Sequence, residues 1–250
     1  MSYFMYETKK IFYQITGNGK PVLFLHGNAV SSKLFEPLRP LYQEHFKVIL
    51  IDFLGHGQSD RIGKFPADLW FSEARQTVAL LEFLGLGKVS LVGTSGGAWV
   101  AVNAALERPE LVDKVVADSF DGRTLAEDFS ENLLKERSEA KKDPWSRQFY
   151  QWCLGEDWET TVDFDTQALL ECAHRKLPLF LKPLEELNVP VLLMGSLEDS
   201  MCRKDLKEEY AQMNRQIPDN KVHIFPTGGH PAIATNAELA AKIICDFIEE

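Results

Sequence analysis

The stretch Gly93-Thr94-Ser95-Gly96-Gly97 places a serine between glycines two positions before and two after it. Side chains at those glycine positions would collide with neighbouring backbone in a sharp strand-to-helix turn, which is the turn that exposes a reactive hydroxyl. The chemistry implied is nucleophilic attack by Ser95 on an acyl carbon. A serine hydroxyl is a weak nucleophile, so it needs a base, and the base needs an acid to orient it. His230, in Thr227-Gly228-Gly229-His230-Pro231, is the best-placed base of the six histidines, and Asp199, in Gly195-Ser196-Leu197-Glu198-Asp199, is the matching acid. Asp118 and Glu198 are rival carboxylates for that role. A tetrahedral intermediate also needs donors for its oxyanion. The Gly96 N–H at the start of a helix is one, and the loop His26-Gly27-Asn28-Ala29 supplies the other. The Asn28 N–H is favoured there, with Ala29 as the alternative, while His26 is expected to hold the loop by hydrogen bonds.

These residues need elements that carry them to one place. Apolar or β-branched runs at 11–15, 21–25, 47–52, 88–93, 112–118, 190–195 and 221–225 read as strands, several of them too continuously apolar for a sheet with one wet face. Helical patterns separate them. Phe71, Ala74, Val78 and Leu81 share a face and Gly85 stops that helix; a last helix opens at Asn236, a candidate N-cap, and repeats Ala240, Ile243, Ile244, Phe247 and Ile248. Such alternation predicts an α/β fold with a mainly parallel central sheet flanked by helices, with an antiparallel edge ahead of Pro21. Ser95, Asp199 and His230 each follow a strand, so all three loops leave the same sheet edge.

One stretch breaks the rhythm. Residues 120–187 contain no good strand, and three helical patterns fit there: Leu125, Phe129 and Leu133; Trp145, Phe149 and Trp152; and 168–173. The division expected is a core of 1–119 and 188–250 with 120–187 as an inserted helical cap. A pocket beneath that cap would be lined by Trp99, Trp145, Phe149 or Trp152, with packing inside the cap as the competing use of those rings. Residues 120–187 are expected to set substrate range and not the chemical step.

Thirty-seven acidic against 27 basic residues leave a net charge of −10, which disfavours nucleic acid and anionic membranes as partners. The start MSYFMYETKK lacks the pattern of a secretory leader, and no apolar run is long enough to span a bilayer, so a cytoplasmic protein without membrane insertion is expected. Cys153, Cys172, Cys202 and Cys245 are widely spaced, and no pair among His45, His56, His174 and His223 has metal-ligand spacing. Neither a metal nor a cofactor is expected. The partner expected is a small acyl substrate.

Taken together, His26-Gly27, Asp52-Phe53-Leu54-Gly55-His56-Gly57-Gln58-Ser59, the Ser95 turn, the Asp199 loop and Gly229-His230 resemble the α/β-hydrolase-fold superfamily in its cap-bearing, esterase-like form. The resemblance runs from about residue 11 to the C-terminus. It implies cofactor-free hydrolysis through an acyl-enzyme, with 55–59 as a structural turn near the site. Serine at position 95 departs from the Asp of haloalkane dehalogenases and epoxide hydrolases and from the Cys of dienelactone hydrolases. The 26–29 loop also lacks the Gly-Gly-Pro-Gly extension of proline iminopeptidases. The leading expectation is a serine hydrolase of the carboxylic-ester type. Carbon–carbon bond hydrolysis or acyl transfer on the same triad, and a ligand-binding or signalling protein on a hydrolase scaffold, are the alternatives.

Overall fold

Strand residues that alternate between two buried faces build the centre of the molecule. In the computed structural model, which describes residues 2–250, the strands are β1 (Ser2–Tyr6), β2 (Lys9–Thr16), β3 (Lys20–Leu25), β4 (Phe46–Asp52), β5 (Val89–Thr94), β6 (Val112–Asp118), β7 (Val191–Ser196) and β8 (Asn220–Phe225). They form one eight-stranded sheet in the order β1-β2-β4-β3-β5-β6-β7-β8. From β4 onward through β3, β5, β6, β7 and β8 every neighbour is parallel, while β1–β2 and β2–β4 are antiparallel. The mainly parallel α/β fold with an antiparallel edge is therefore borne out.

Leu23, Leu25, Ile49, Ile51, Leu91, Val115 and Leu193 point to one face of this sheet. Their alternate neighbours Val22, Phe24, Val48, Leu50, Val92, Val116 and Leu192 point to the other. A period-two chain with both faces apolar has to be covered twice. The first face is covered by α2 (Leu69–Leu84), α3 (Gly96–Glu107) and α7 (Leu206–Gln216); the second by α1 (Pro40–Gln43), α8 (Ala232–Thr235) and α9 (Ala237–Glu249). Helix α2 ends where Gly85 turns left-handed (φ 58°) and returns its N–H to the Leu81 carbonyl.

Three helices, α4 (Phe129–Ala140), α5 (Pro144–Leu154) and α6 (Trp158–Arg175), lie between β6 and β7. Ala140, Tyr150, Cys153, Leu154, Trp158 and Val162 give these helices a small core, which also takes in Ala29 from the loop after β3. Leu125 lies ahead of α4 rather than on it. Two further local readings differ. Ser2–Tyr6, read in the sequence only as lacking a leader pattern, is an edge strand in which Phe4 alone is buried and pairs opposite Ile11. Asn236 does not cap α9 with its side chain; its Nδ2 donates to the Thr227 carbonyl at 3.0 Å and ties the His230 loop to that helix. Among the described residues no helix is long and apolar enough to cross a membrane.

Candidate active site

Parallel register brings the candidate residues to one edge. Thr94 on β5 pairs with Asp118 on β6, which pairs with Met194 on β7, and Ser196 pairs with Phe225 on β8. Ser95 follows immediately, donating its backbone N–H to the Asp118 carbonyl at 2.8 Å. Its backbone is left-handed (φ 56°, ψ −126°), a conformation that costs a non-glycine residue roughly 1–3 kcal/mol and is held only by its surroundings. Those surroundings are close: a Cβ at Gly93 would overlap the Gly97 carbonyl, one at Gly97 would overlap the Leu25 carbonyl, and one at Gly27 would lie 2.8 Å from the Ser95 Cβ. The glycines are thus required by contact with neighbouring backbone, and β3 and its following loop press directly on Ser95.

His230 and Asp199 meet as a pair, Nδ1 to Oδ2 at 2.8 Å, with Asp199 side-chain carboxylate wholly buried and His230 14% exposed. Burial alone would raise the Asp199 carboxyl; the hydrogen bond and charge of His230 outweigh it and hold the group below the usual carboxylate range. The Met201 N–H and the Cys202 thiol donate to the same carboxylate, at 3.0 and 3.4 Å. The rival carboxylates do other work. Glu198 accepts from the Gly228 N–H at 3.1 Å and braces the histidine loop. Asp118 accepts from the Thr94 hydroxyl at 2.8 Å and from the Ile233 N–H at 3.2 Å, while Ser119 Oγ accepts from the Ala232 N–H at 2.7 Å. Asp118 and Ser119 therefore satisfy the first N–H groups of α8, the helix directly after His230. Burial pushes the Asp118 carboxyl up to about 6.

The loop after β3 is fixed from several sides. His26 bonds the Gly27 carbonyl through Nδ1 at 2.8 Å and accepts the Phe53 N–H through Nε2 at 3.1 Å. Ala29 adopts a left-handed φ of 53°. Asn28 lies over the start of α3, since a Cβ on Gly96 would overlap its Oδ1. The first N–H groups of a helix lack intrahelical acceptors, and α3 begins at Gly96, directly after Ser95.

Ser95, His230, Asn28, Glu136, Arg137 and Met201 border two adjoining cavities. The smaller, about 120 Å³, is lined by Trp70, Trp99, Phe120, Asp121 and Cys202 among others. The larger, about 380 Å³, is walled by Val30, Leu34, Ala140, Trp145, Phe149 and Tyr150. Trp99 thus faces the small cavity and Trp145 and Phe149 the large one. Trp152 lines neither and lies under the Lys33 ammonium at 5.8 Å from the ring, while Trp145, at the cavity's rim, is itself 71% exposed.

The model of the alpha/beta hydrolase family matches residues 22–242. The chain belongs to the alpha/beta hydrolase family. A 2-(acetamidomethylene)succinate hydrolase of Mesorhizobium japonicum is 39% identical over 106 residues, covering 42% of this chain and 37% of that protein. In four curated relatives at 32–39% identity the match covers only 32–37% of their length, whereas three from Bacillus subtilis at 25–26% identity are matched over 89–96% of theirs. Among solved structures, a meta-cleavage product hydrolase from Pseudomonas fluorescens IP01 superposes with a TM-score of 0.80 at 19% identity, over 100% of this chain and 97% of that one. An esterase from Exiguobacterium antarcticum superposes with a TM-score of 0.76 at 21% identity, over 97% and 96%. These two likenesses show the fold.

This family member carries polar residues at the site that no local pattern announces. Arg137 and Glu136, from α4, border both cavities, and Asp165 on α6 is fully buried behind them. In the sequence each is one charge among many in a charged helical stretch. Among the described residues, Asp199, Cys202 and His230 also bring three potential metal-ligand atoms within 4.8 Å of one another. The Asp199 carboxylate and His230 Nδ1 in that set already satisfy each other.

Proposed function

We propose that the protein is a serine hydrolase of carboxylic esters or related acyl compounds, with residues 120–187 acting as a cap over the site. The observation that carries this reading is the left-handed Ser95 turn opening on the same cavities as a histidine whose Nδ1 is held by a buried carboxylate. Ser95 attacks the acyl carbon while His230 Nε2 takes its proton; Asp199 fixes the tautomer and stabilises the imidazolium. The N–H groups of Gly96 and Asn28 receive the oxyanion. Collapse of the tetrahedral adduct releases the alcohol, protonated by His230, and the same histidine then activates water to free the acid. A large apolar cavity beside a small one of mixed polarity, both meeting at Ser95, favours a substrate with an aryl or medium-length alkyl arm on one side of the scissile bond and a compact arm on the other.

A panel of p-nitrophenyl and thioester substrates graded by acyl length, run beside a conjugated dienol diketone, tests the reading. Ester turnover with the dienol unconsumed supports it; consumption of the dienol without any ester turnover replaces it with carbon–carbon hydrolysis. On the same panel Trp145→Ala and Phe149→Ala are expected to shift the preferred chain length, changing kcat/KM for the longest esters about tenfold or more and for the acetyl ester by less than about threefold. Trp152→Ala is expected to leave the profile unchanged. An unchanged profile in all three variants would remove the large cavity from substrate recognition.

A further inference from the structure

Asp165, near the middle of α6, has no exposed side-chain surface, yet it is a carboxyl group and faces the loop after β3. It accepts from the Arg137 guanidinium at 3.2 Å and from Asn28 Nδ2 at 3.0 Å, and the Ala29 backbone N–H faces the same carboxylate. Burial holds this carboxyl above the usual carboxylate range, and Arg137, Asn28 and Ala29 offset that only in part. The far end of the Asn28 amide is also occupied: Oδ1 accepts from Trp70 Nε1 at 3.2 Å and sits against Gly96. A single side chain therefore runs from the inserted helices to the start of α3, beside Ser95. Ala29, next in the chain, is fully buried in the small core of the insertion and holds its left-handed φ there. Packing alone would be served by an apolar residue at position 165, because a buried charge needs partners to be tolerated.

We propose that Asp165 is a positioning residue that, through Asn28, aims the 27–29 loop at the oxyanion, so that acyl transfer reaches full rate only with the inserted helices seated on the core. The proposal rests on the serine-hydrolase reading above and on the Asn28 N–H as a donor. The inserted helices then contribute to the chemical step, beyond bounding the pocket. The geometry the link maintains matters most when charge develops on the substrate oxygen, and little for the neutral ground state.

Two variants cut the link from opposite ends. Asn28→Ala keeps its backbone N–H and leaves the Arg137–Asp165 pair intact; Asp165→Asn keeps the shape and removes the charge. Each is expected to lower kcat about 10–100-fold with KM within about threefold, and the double variant to fall no further than the worse single one. Affinity for an alkyl trifluoromethyl ketone, whose adduct carries the oxyanion, should drop by the same factor, while affinity for the product acid stays level. If Asp165→Asn does not fold, Asn28→Ala alone decides. Wild-type kcat in Asn28→Ala, or losses that multiply in the double variant, overturns the proposal. Fluorophosphonate labelling separates this from failure of the underlying reading. An unlabelled wild-type protein overturns both, whereas a labelled wild type matched in rate by both variants overturns only the positioning role.

Discussion

Ser95→Ala is expected to abolish ester turnover, with a loss on the order of 10⁶-fold that leaves the fold in place. The serine occupies a strained left-handed position that exists because Gly93, Gly97 and Gly27 let three backbone segments close around it. Alanine fits the same space, and the Ser95 backbone N–H keeps its bond to the Asp118 carbonyl, so thermal unfolding should be nearly unchanged. A fluorophosphonate probe should add its mass to the peptide holding Ser95 in the wild type and to nothing in the variant. Ser119 and Ser200 also line the small cavity and are the informative competitors. Labelling of either in the Ser95→Ala protein would move the nucleophile.

Asp199→Asn is expected to cost 10³–10⁴-fold in kcat, because an amide favours the wrong imidazole tautomer and no longer stabilises the imidazolium. Asp118→Asn is expected to cost at most about tenfold, since its carboxylate serves the first turn of α8 and the Thr94 hydroxyl rather than His230. The two substitutions differ in stability as well. The folded Asp118 carboxyl, at about 6, lies above its ordinary value of 3.8. Its contribution is thus fully present below about pH 4 and is lost as pH rises through 6, by up to about 3 kcal/mol. Asp118→Asn should flatten that part of the stability–pH profile, measured by urea unfolding between pH 4 and 7. Asp199 has the opposite sign: its carboxyl is depressed by His230, so its contribution is present at neutral pH and fades as the acid range is entered. The reverse ranking of activity losses would transfer the orienting role to Asp118.

The sequence by itself determined the architecture and the three residues at its edge. Continuous apolar strands force a sheet covered on both faces, parallel strands force helical crossovers, and a glycine-flanked serine after such a strand has one sterically open turn. Residues placed after β5, β7 and β8 then share an edge whatever the details, which is why Ser95, Asp199 and His230 were legible as a group. The edge strand Ser2–Tyr6 was not, because its one buried residue, Phe4, leaves too little pattern to read. Contacts between segments distant in the chain were decided only by tertiary structure. Whether Asp118, Glu198 or Asp199 meets His230 depends on the path of each loop over the sheet edge, and all three carboxylates turned out to have donors of their own. Trp145 and Phe149 border the large cavity, whereas Trp152 lies under the Lys33 ammonium, a contact between residues 119 apart in the chain. Asp165 is the extreme case. It lies 137 residues from Asn28, and nothing local marks it apart from its charged neighbours. Only when α6 packs over the loop after β3 is it stripped of water, and only then does its need for hydrogen-bond donors tie α6 to that loop.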